Sequence, residues 1–391
     1  MKRSWCQVNL RSIWKERTEK MEFRWLTPFT TGCERENKRG DLSASIKRLD
    51  NTMKVVEISD TRKITIIEKV EPQIVNPDDV IIRVAAVSIC GTDVHTFTNT
   101  HPFVKPPVVV GHECSGVVTA IGSKVKSVKI GDRVAVDPVL GCGTCTPCTI
   151  GRPNACAEVK CRGVHVEGAM QEFFKIREQD VYVLPDSLSD TVLGAAIEPF
   201  AIGAQAVWRG GVRSGQNMVI FGAGPIGLTT MLMAKVRGAE CILVDLKDDR
   251  LDNAIRLGAA AAIRADADDL KEQVRGVTGD QGVLVTCDAV GNPDIVDRCV
   301  ELVDPTGTVI LLGMDGSQNN VTELDIFRKE LTVVGSRMNS GMFPTVLDLV
   351  GQDQLPLSEI LTHRFSCERA DHAFDMAIEQ PDGFIKAVIT F

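Results

Sequence analysis

The sequence has no run of the ~18–20 consecutive apolar residues that a bilayer-spanning helix needs, which argues against a membrane partner. It lacks an excess of positive charge: its 391 residues carry a formal net charge of -8, and a surface of that sign disfavours nucleic acid. A secretory apolar segment is missing too. The 13 cysteines therefore read as reduced thiols and metal ligands of a cytoplasmic protein, not as a disulfide framework. What is present is ordinary for a globular chain, with 44% hydrophobic and 25% charged residues, and the length accommodates two domains.

Residues 1–52 differ from the rest. They hold twelve Lys or Arg against seven Asp or Glu, and Trp5, Trp14 and Trp25, leaving only Trp208 for the body. No clean period or capped helix emerges. A transit peptide is poor in acids, and Glu16, Glu19, Glu22, Glu34 and Glu36 argue against one. This segment reads as a disordered or non-native extension, with the folded protein starting at Met53.

The body is organised around Met218–Gly227, MVIFGAGPIG. A short apolar run predicts a buried strand, and Gly222, Gly224 and Gly227 follow as G-x-G-x-x-G. Pro225 stands where a helix begins, a position that tolerates its missing N–H. Gly222 suits a tight turn, Gly224 lets backbone approach a pyrophosphate, and Gly227 lets the helix pack on its strand. A second apolar run, Cys241 to Asp245, ends in an acid 21 residues beyond Gly224, where a dinucleotide fold places the carboxylate for the ribose hydroxyls. Further strands are predicted near 261–263, 283–287, 309–313 and 331–335, completing a six-stranded doubly wound sheet. The loops Val290–Pro293 and Gly313–Asp315 are expected on the nicotinamide side. Asp245 favours NAD, because its charge repels a 2′-phosphate; Arg250 nearby pulls weakly the other way.

Between Met53 and about Arg83, short β-rich runs broken by Pro72, Pro77 and Asp78 predict a twisted β domain. Beyond it, Cys90, Thr92 and His95 fall within six positions, Gly111-His112-Glu113 follows, and Glu198-Pro199 comes later. Thiol, imidazole and carboxylate are ligand types for zinc, which keeps one position open when catalytic. Taken singly, Cys90 or His112 reads first as a buried thiol or a satisfied core histidine. A separate signal is C-x2-C-x2-C-x7-C, formed by Cys142, Cys145, Cys148 and Cys156 in a Gly/Pro/Thr-rich loop. A closed tetrahedral zinc would hold such a loop together; an iron–sulfur cluster is the rival.

These pieces, in this order and spacing, resemble the zinc-dependent medium-chain alcohol and polyol dehydrogenases over nearly all of Met53 to Phe391. The resemblance implies a GroES-like β-rich catalytic domain (53–201 with 336–391) around a Rossmann domain (202–335). It implies two zinc ions per chain, NAD, and a homodimer or homotetramer. The catalytic zinc would sit at Cys90, His112 and the Glu113/Glu198 pair, with either glutamate as inner ligand. Glu198 stands where the alcohol dehydrogenases proper carry a second cysteine, as in sorbitol-type enzymes. Thr92 and His95 match the family's proton relay, which serves an alcohol acidified by zinc. Gly222, Gly224, Pro225, Ile226, Gly227, Asp245 and Arg250 would hold the cofactor, and Lys386 aligns with a basic residue that approaches its pyrophosphate.

Finer details, among them Val136-Asp137-Pro138, Gly163-Val164-His165, Gly335-Ser336-Arg337-x-Asn339 and Leu361–Arg364, resemble the L-gulonate and L-galactonate 5-dehydrogenases. That resemblance implies oxidation of a sugar acid at C5. Gly168-Ala169-Met170-Gln171 departs from it, where those relatives usually read Gly-Gly-Phe-Ser. A dry pocket does not accept an unpaired carboxylate, so a cation is expected: Arg337 first, His165 second, Arg162 third. A neutral polyol or hexitol phosphate is the alternative substrate. A zinc- and dinucleotide-binding regulator without turnover is the alternative of a different class.

Overall fold

The computed structural model describes residues 51–313 and 316–391. The prefix, except for its last two residues, and Met314 and Asp315 of the expected nicotinamide-side loop lie outside the described residues. The body opens with an antiparallel hairpin, β1 (Thr52–Asp60) and β2 (Lys63–Val70). There follow β3 (Asp79–Ser88), β4 (Glu113–Ile121), β5 (Arg133–Val136), the short pair β6 (Val139–Leu140) and β7 (Lys160–Cys161), β8 (Phe173–Arg177) and β9 (Val181–Val183). β3 is buried almost throughout, as its near-continuous apolar sequence demands of a strand covered on both faces.

β10 (Asn217–Phe221), β11 (Glu240–Asp245), β12 (Ala261–Arg264), β13 (Val285–Asp288), β14 (Thr308–Leu311) and β15 (Thr332–Gly335) form the second sheet. Every pairing is parallel, and the order is β12-β11-β10-β13-β14-β15. This is the doubly wound arrangement, with its switch point between β10 and β13. The chain then returns to the first sheet through β16 (His363–Ser366) and β17 (Ala387–Thr390), giving β16-β17-β3-β4-β5-β9 with β8 on β3. The glycine loop follows β10 at the switch point.

One continuous core joins the sheets: Ala86 and Ala135 from the first share a cluster with Met218, Ile220 and Leu243 from the second. The helix Ile197–Arg209 runs through it, contributing Ile197, Phe200, Ala201, Ala204 and Val207. Together with the turn before it, Thr191–Arg209 is long and apolar enough by length and composition to cross a membrane. Its residues are not consecutively apolar, because Glu198 and Arg209 interrupt the run. With 72% of the segment buried inside the protein, it is a core helix, and its first turn carries Glu198 into the site.

Candidate active site

Cys90 is the N-cap of the helix Gly91–Phe97. Asp93, in the first turn and fully buried, accepts the Cys90 backbone N–H at 3.0 Å and that of Gly111 at 3.3 Å. One carboxylate thus ties the thiol-bearing turn to the segment that presents His112. Asp93 Oδ1 also stands 3.8 Å from His112 Nδ1, too far for a hydrogen bond but close enough to act on its charge. Burial opposes protonation of His112, yet Cys90 and Asp93 outweigh it and raise the imidazole pKa well above its usual value. Met170, in the stretch that departs from the gulonate and galactonate relatives, is a core residue that backs this segment, with its N–H donating to Val110 O at 3.1 Å.

Glu113 begins β4 beneath the same site. Both its oxygens accept from Lys386 Nζ, at 2.7 and 2.6 Å, and one also accepts from Ser88 Oγ. The third proton of Lys386 goes to Ile89 O at 3.1 Å. Lys386 was expected at the cofactor pyrophosphate. It is only 3% exposed, and its three protons are engaged at the metal site, leaving none for a phosphate in this arrangement. Glu198 is buried too, and burial pushes its carboxyl up to about 8 against the opposing charge of His112. Ligand atoms of Cys90, His112 and Glu113 lie within 4.8 Å of one another, and His112 Nδ1 is buried with no hydrogen-bond partner. A half-buried thiol beside a buried carboxylate and a buried imidazole with an orphaned nitrogen suits zinc.

Thr92 and His95 follow Cys90 on the same helix. Thr92 Oγ1 is 4.0 Å from Cys90 Sγ and half-buried, whereas His95 is exposed. The turn thus runs from a half-buried thiol and hydroxyl to a solvent-facing imidazole. Thr100 Oγ1 holds His95 Nδ1 at 2.9 Å.

Sulfurs of Cys142, Cys145, Cys148 and Cys156 also gather within 4.8 Å. Cys142 Sγ and Cys148 Sγ are 4.0 Å apart; a zinc bonded to each at 2.3 Å would set tetrahedral sulfurs about 3.8 Å apart. Thr144's hydroxyl, with the backbone N–H groups of Thr144 and Cys145, lowers the Cys142 thiol to about 6. Further N–H groups reach sulfur, from Cys142 to Cys156 at 3.4 Å and from Glu158 to Cys156 at 3.3 Å. The donor set fits a closed zinc.

On the cofactor side, Gly222 has φ +97, which a side chain would strain. A Cβ on Gly227 would strike the Gly222 carbonyl, while one on Gly224 would meet nothing nearer than Arg250 Nη1 at 3.9 Å. The surface above Gly224 is thus open to a ligand. Helical bonding starts with Leu228 N to Gly224 O, so the N–H groups of Ile226 and Gly227, behind Pro225, are left at the helix N-terminus. Asp245 accepts from Ala223 N at 2.7 Å and Lys247 N at 3.0 Å, and Arg250 approaches it at 3.5 Å. Val290 packs against Gly222, and Gly313 against Gly291, so the loops after β13 and β14 border the same crevice.

Of the three cations considered for a substrate carboxylate, Arg162 is unavailable. It is buried, and its Nη2 donates to Asp180 at 2.7 Å. Arg337 is exposed and pairs with no carboxylate among the described residues. Its charge reaches His165, whose pKa is lowered first by burial and then by Arg337. Phe103 spans from His101 to His165, at ring distances of 4.5 and 5.7 Å. Asp93, Ser88 and Asn154 were given no role from sequence. Asp93 carried a usable signal, an acid three residues after an N-cap; the other two carried none.

Family comparison agrees with this geometry. Residues 76–186 match the alcohol dehydrogenase GroES-like domain, and residues 225–352 match the zinc-binding dehydrogenase model. The chain is 34% identical to a sorbitol dehydrogenase of Bacillus subtilis, covering 86% of this chain and 97% of that one. It is 31% identical to an L-galactonate-5-dehydrogenase of Escherichia coli, covering 80% and 92%. Among solved structures, an Escherichia coli alcohol dehydrogenase (rspB) complexed with NADH superposes with TM-score 0.82 at 32% identity, covering 87% of this chain and 100% of that one. A putative zinc-binding dehydrogenase from Sinorhizobium meliloti bound to NADP gives 0.80 at 30% identity, covering 88% and 100%.

Proposed function

Because the chain belongs to the zinc-binding alcohol dehydrogenases, NAD-dependent oxidoreductases acting on CH–OH donors, we propose that it oxidises the C5 hydroxyl of a hexonate of the L-gulonate or L-galactonate type to the 5-keto acid. The observation that carries this reading is Arg337: an exposed guanidinium with no carboxylate partner among the described residues, electrostatically coupled to His165. A planar fork of donors suits a carboxylate. A neutral polyol is the second reading, favoured by the likeness to the sorbitol dehydrogenase.

In this reading Cys90, His112 and Glu113 hold the catalytic zinc, with Glu198 as the second carboxylate of the site. The four cysteines hold the structural zinc, and the glycine loop, Asp245 and Arg250 hold NAD. When bound there, zinc would supply the Lewis acidity that lowers the pKa of a substrate hydroxyl, and NAD the hydride acceptor. Thr92 Oγ1 accepts the hydroxyl proton as it passes its own outward, and His95 delivers it to solvent from its free ring nitrogen. Asp93 keeps Cys90 and His112 in register. The residues assigned to the catalytic unit are 53–201 with 336–391, and those of the cofactor unit 202–335. The complete set of acid, base and ligand side chains weighs against a non-catalytic regulator. Free thiols at every described cysteine suit a reducing cytoplasm.

A homodimer or homotetramer is supported by β15, an edge strand beside exposed Val333, Leu324 and Phe327, the last 80% exposed. Unpaired backbone next to apolar surface favours pairing with another strand. Light scattering giving a monomer would overturn this.

The deciding experiment is Arg337→Met. KM for a hexonate is expected to rise about tenfold to hundredfold, with little change for a neutral hexitol. Equal losses on both would assign Arg337 to the fold or the cofactor. Faster turnover of sorbitol than of any hexonate by the unaltered enzyme would overturn the acid reading.

A further inference from the structure

After β15 the chain leaves the six-stranded sheet. Its last ties there are Arg209 Nε to Gly335 O at 3.0 Å and Ser336 N to Leu311 O at 2.9 Å. The next four residues are held by the four-cysteine lobe and the strand end before it. Asn154, 2% exposed, donates from Nδ2 to Arg337 O at 2.7 Å. Asn339 Nδ2 reaches Asp137 Oδ1 at 3.2 Å, and Ser340 Oγ donates to Gly151 O at 2.7 Å. Between them Met338 sits at φ +50, a conformation a non-glycine residue keeps only where its surroundings impose it. Its side chain packs against the small apolar cluster of the lobe, Val139, Cys156 and Val159.

We propose that Asn154 is a positioning residue for Arg337, and that the zinc lobe is a clamp that fixes where this guanidinium meets the substrate carboxylate. The lobe has little apolar core: Val139, Cys156 and Val159 are the buried members of its cluster. Its shape therefore depends on the four sulfurs being tied together, and whatever holds them also holds Asn154 against the Arg337 carbonyl. The lobe acts on substrate choice as well as on folding. This rests on the reading of Arg337 given above.

The test is full-chain Asn154→Ala, assayed with a hexonate and a neutral hexitol after its zinc content has been measured. KM for the hexonate should rise about fivefold to tenfold, the effect of losing one well-made hydrogen bond, with kcat and the hexitol KM within about twofold. Trypsin should cut after Arg337 about tenfold faster, because the scissile carbonyl has lost its partner. Equal shifts on both substrates, or unchanged cleavage with both zincs retained, overturn the proposal. Discrimination lost in Arg337→Met but kept in Asn154→Ala overturns the clamp and leaves the substrate reading standing. No discrimination lost in Arg337→Met overturns both. Should Asn154→Ala fail to fold or lose zinc, Ser340→Ala decides by the same two measurements, with a smaller shift expected and no shift overturning the proposal.

Discussion

Lys386 Nζ lies 2.7 and 2.6 Å from the two carboxylate oxygens of Glu113, deep beneath the candidate catalytic zinc and 273 residues away in sequence. The residue just before β17 thereby neutralises a glutamate of the candidate zinc site. Lys386→Met leaves that carboxylate buried and unpaired, and is expected to lower unfolding free energy by about 3–5 kcal/mol in denaturant titrations. Lys386→Met combined with Glu113→Gln should recover part of the loss. The pH dependence follows from the sign of the shift. Burial lowers the Lys386 pKa, but Glu113, joined by Cys90 and Glu198, more than restores it, so the folded value is raised above 10.5. The contribution is fully present below the unfolded pKa and disappears only as pH rises through the folded one. A pair whose stabilisation faded between pH 6 and 8 would contradict this.

That pairing also marks the boundary of what was legible from the residues alone. The doubly wound sheet was readable because its signals are local: apolar runs, glycines at fixed offsets, Pro225 at a helix start, Asp245 at a strand end. The four-cysteine lobe was readable for the same reason. Lys386 was misplaced because nothing near it in sequence names its partner; contact order, not composition, decides where it goes. Asn154 and Arg337, 183 residues apart, are equally silent in one dimension. Arg162 looked free in a glycine-bounded loop until folding set Asp180 against it.

The two metal sites should separate by function. Elemental analysis is expected to find two zinc ions per chain. Cys145→Ser should cost folding, since the lobe has little else to hold it, while Cys90→Ser should chiefly abolish turnover. Glu113→Gln and Glu198→Gln, compared for zinc content after dialysis, decide which carboxylate binds directly. The proximity of Glu113 to Cys90 and His112 predicts the larger loss for Glu113→Gln. Iron in place of zinc would overturn the ligand reading of both sites.

Cofactor choice should turn on Asp245. Its oxygens already accept from Ala223 N and Lys247 N, so Asp245→Ala removes loop support together with charge. Asp245→Asn is the cleaner change: it keeps an acceptor and removes the repulsion toward a 2′-phosphate. The ratio of kcat/KM for NADP over NAD should rise at least about tenfold, helped by Arg250 nearby. An unaltered enzyme that already preferred NADP would show that Arg250, not Asp245, dominates the pocket.

The last prediction concerns the proton path along the helix Gly91–Phe97. Thr92 is half-buried beside Cys90, and His95 is exposed one turn further on, so the two should fail differently when removed. Thr92→Val preserves shape but breaks the only inner step, and is expected to lower kcat about hundredfold at unchanged zinc content. His95→Asn removes a group that solvent can replace, so the loss should be about tenfold. Added imidazole should restore much of it. Imidazole should do nothing for Thr92→Val, because a buffer molecule reaches the exposed end of the path and not the buried one. Rescue of both variants would mean that the proton leaves by another route. Unchanged turnover in Thr92→Val would remove the hydroxyl from the mechanism.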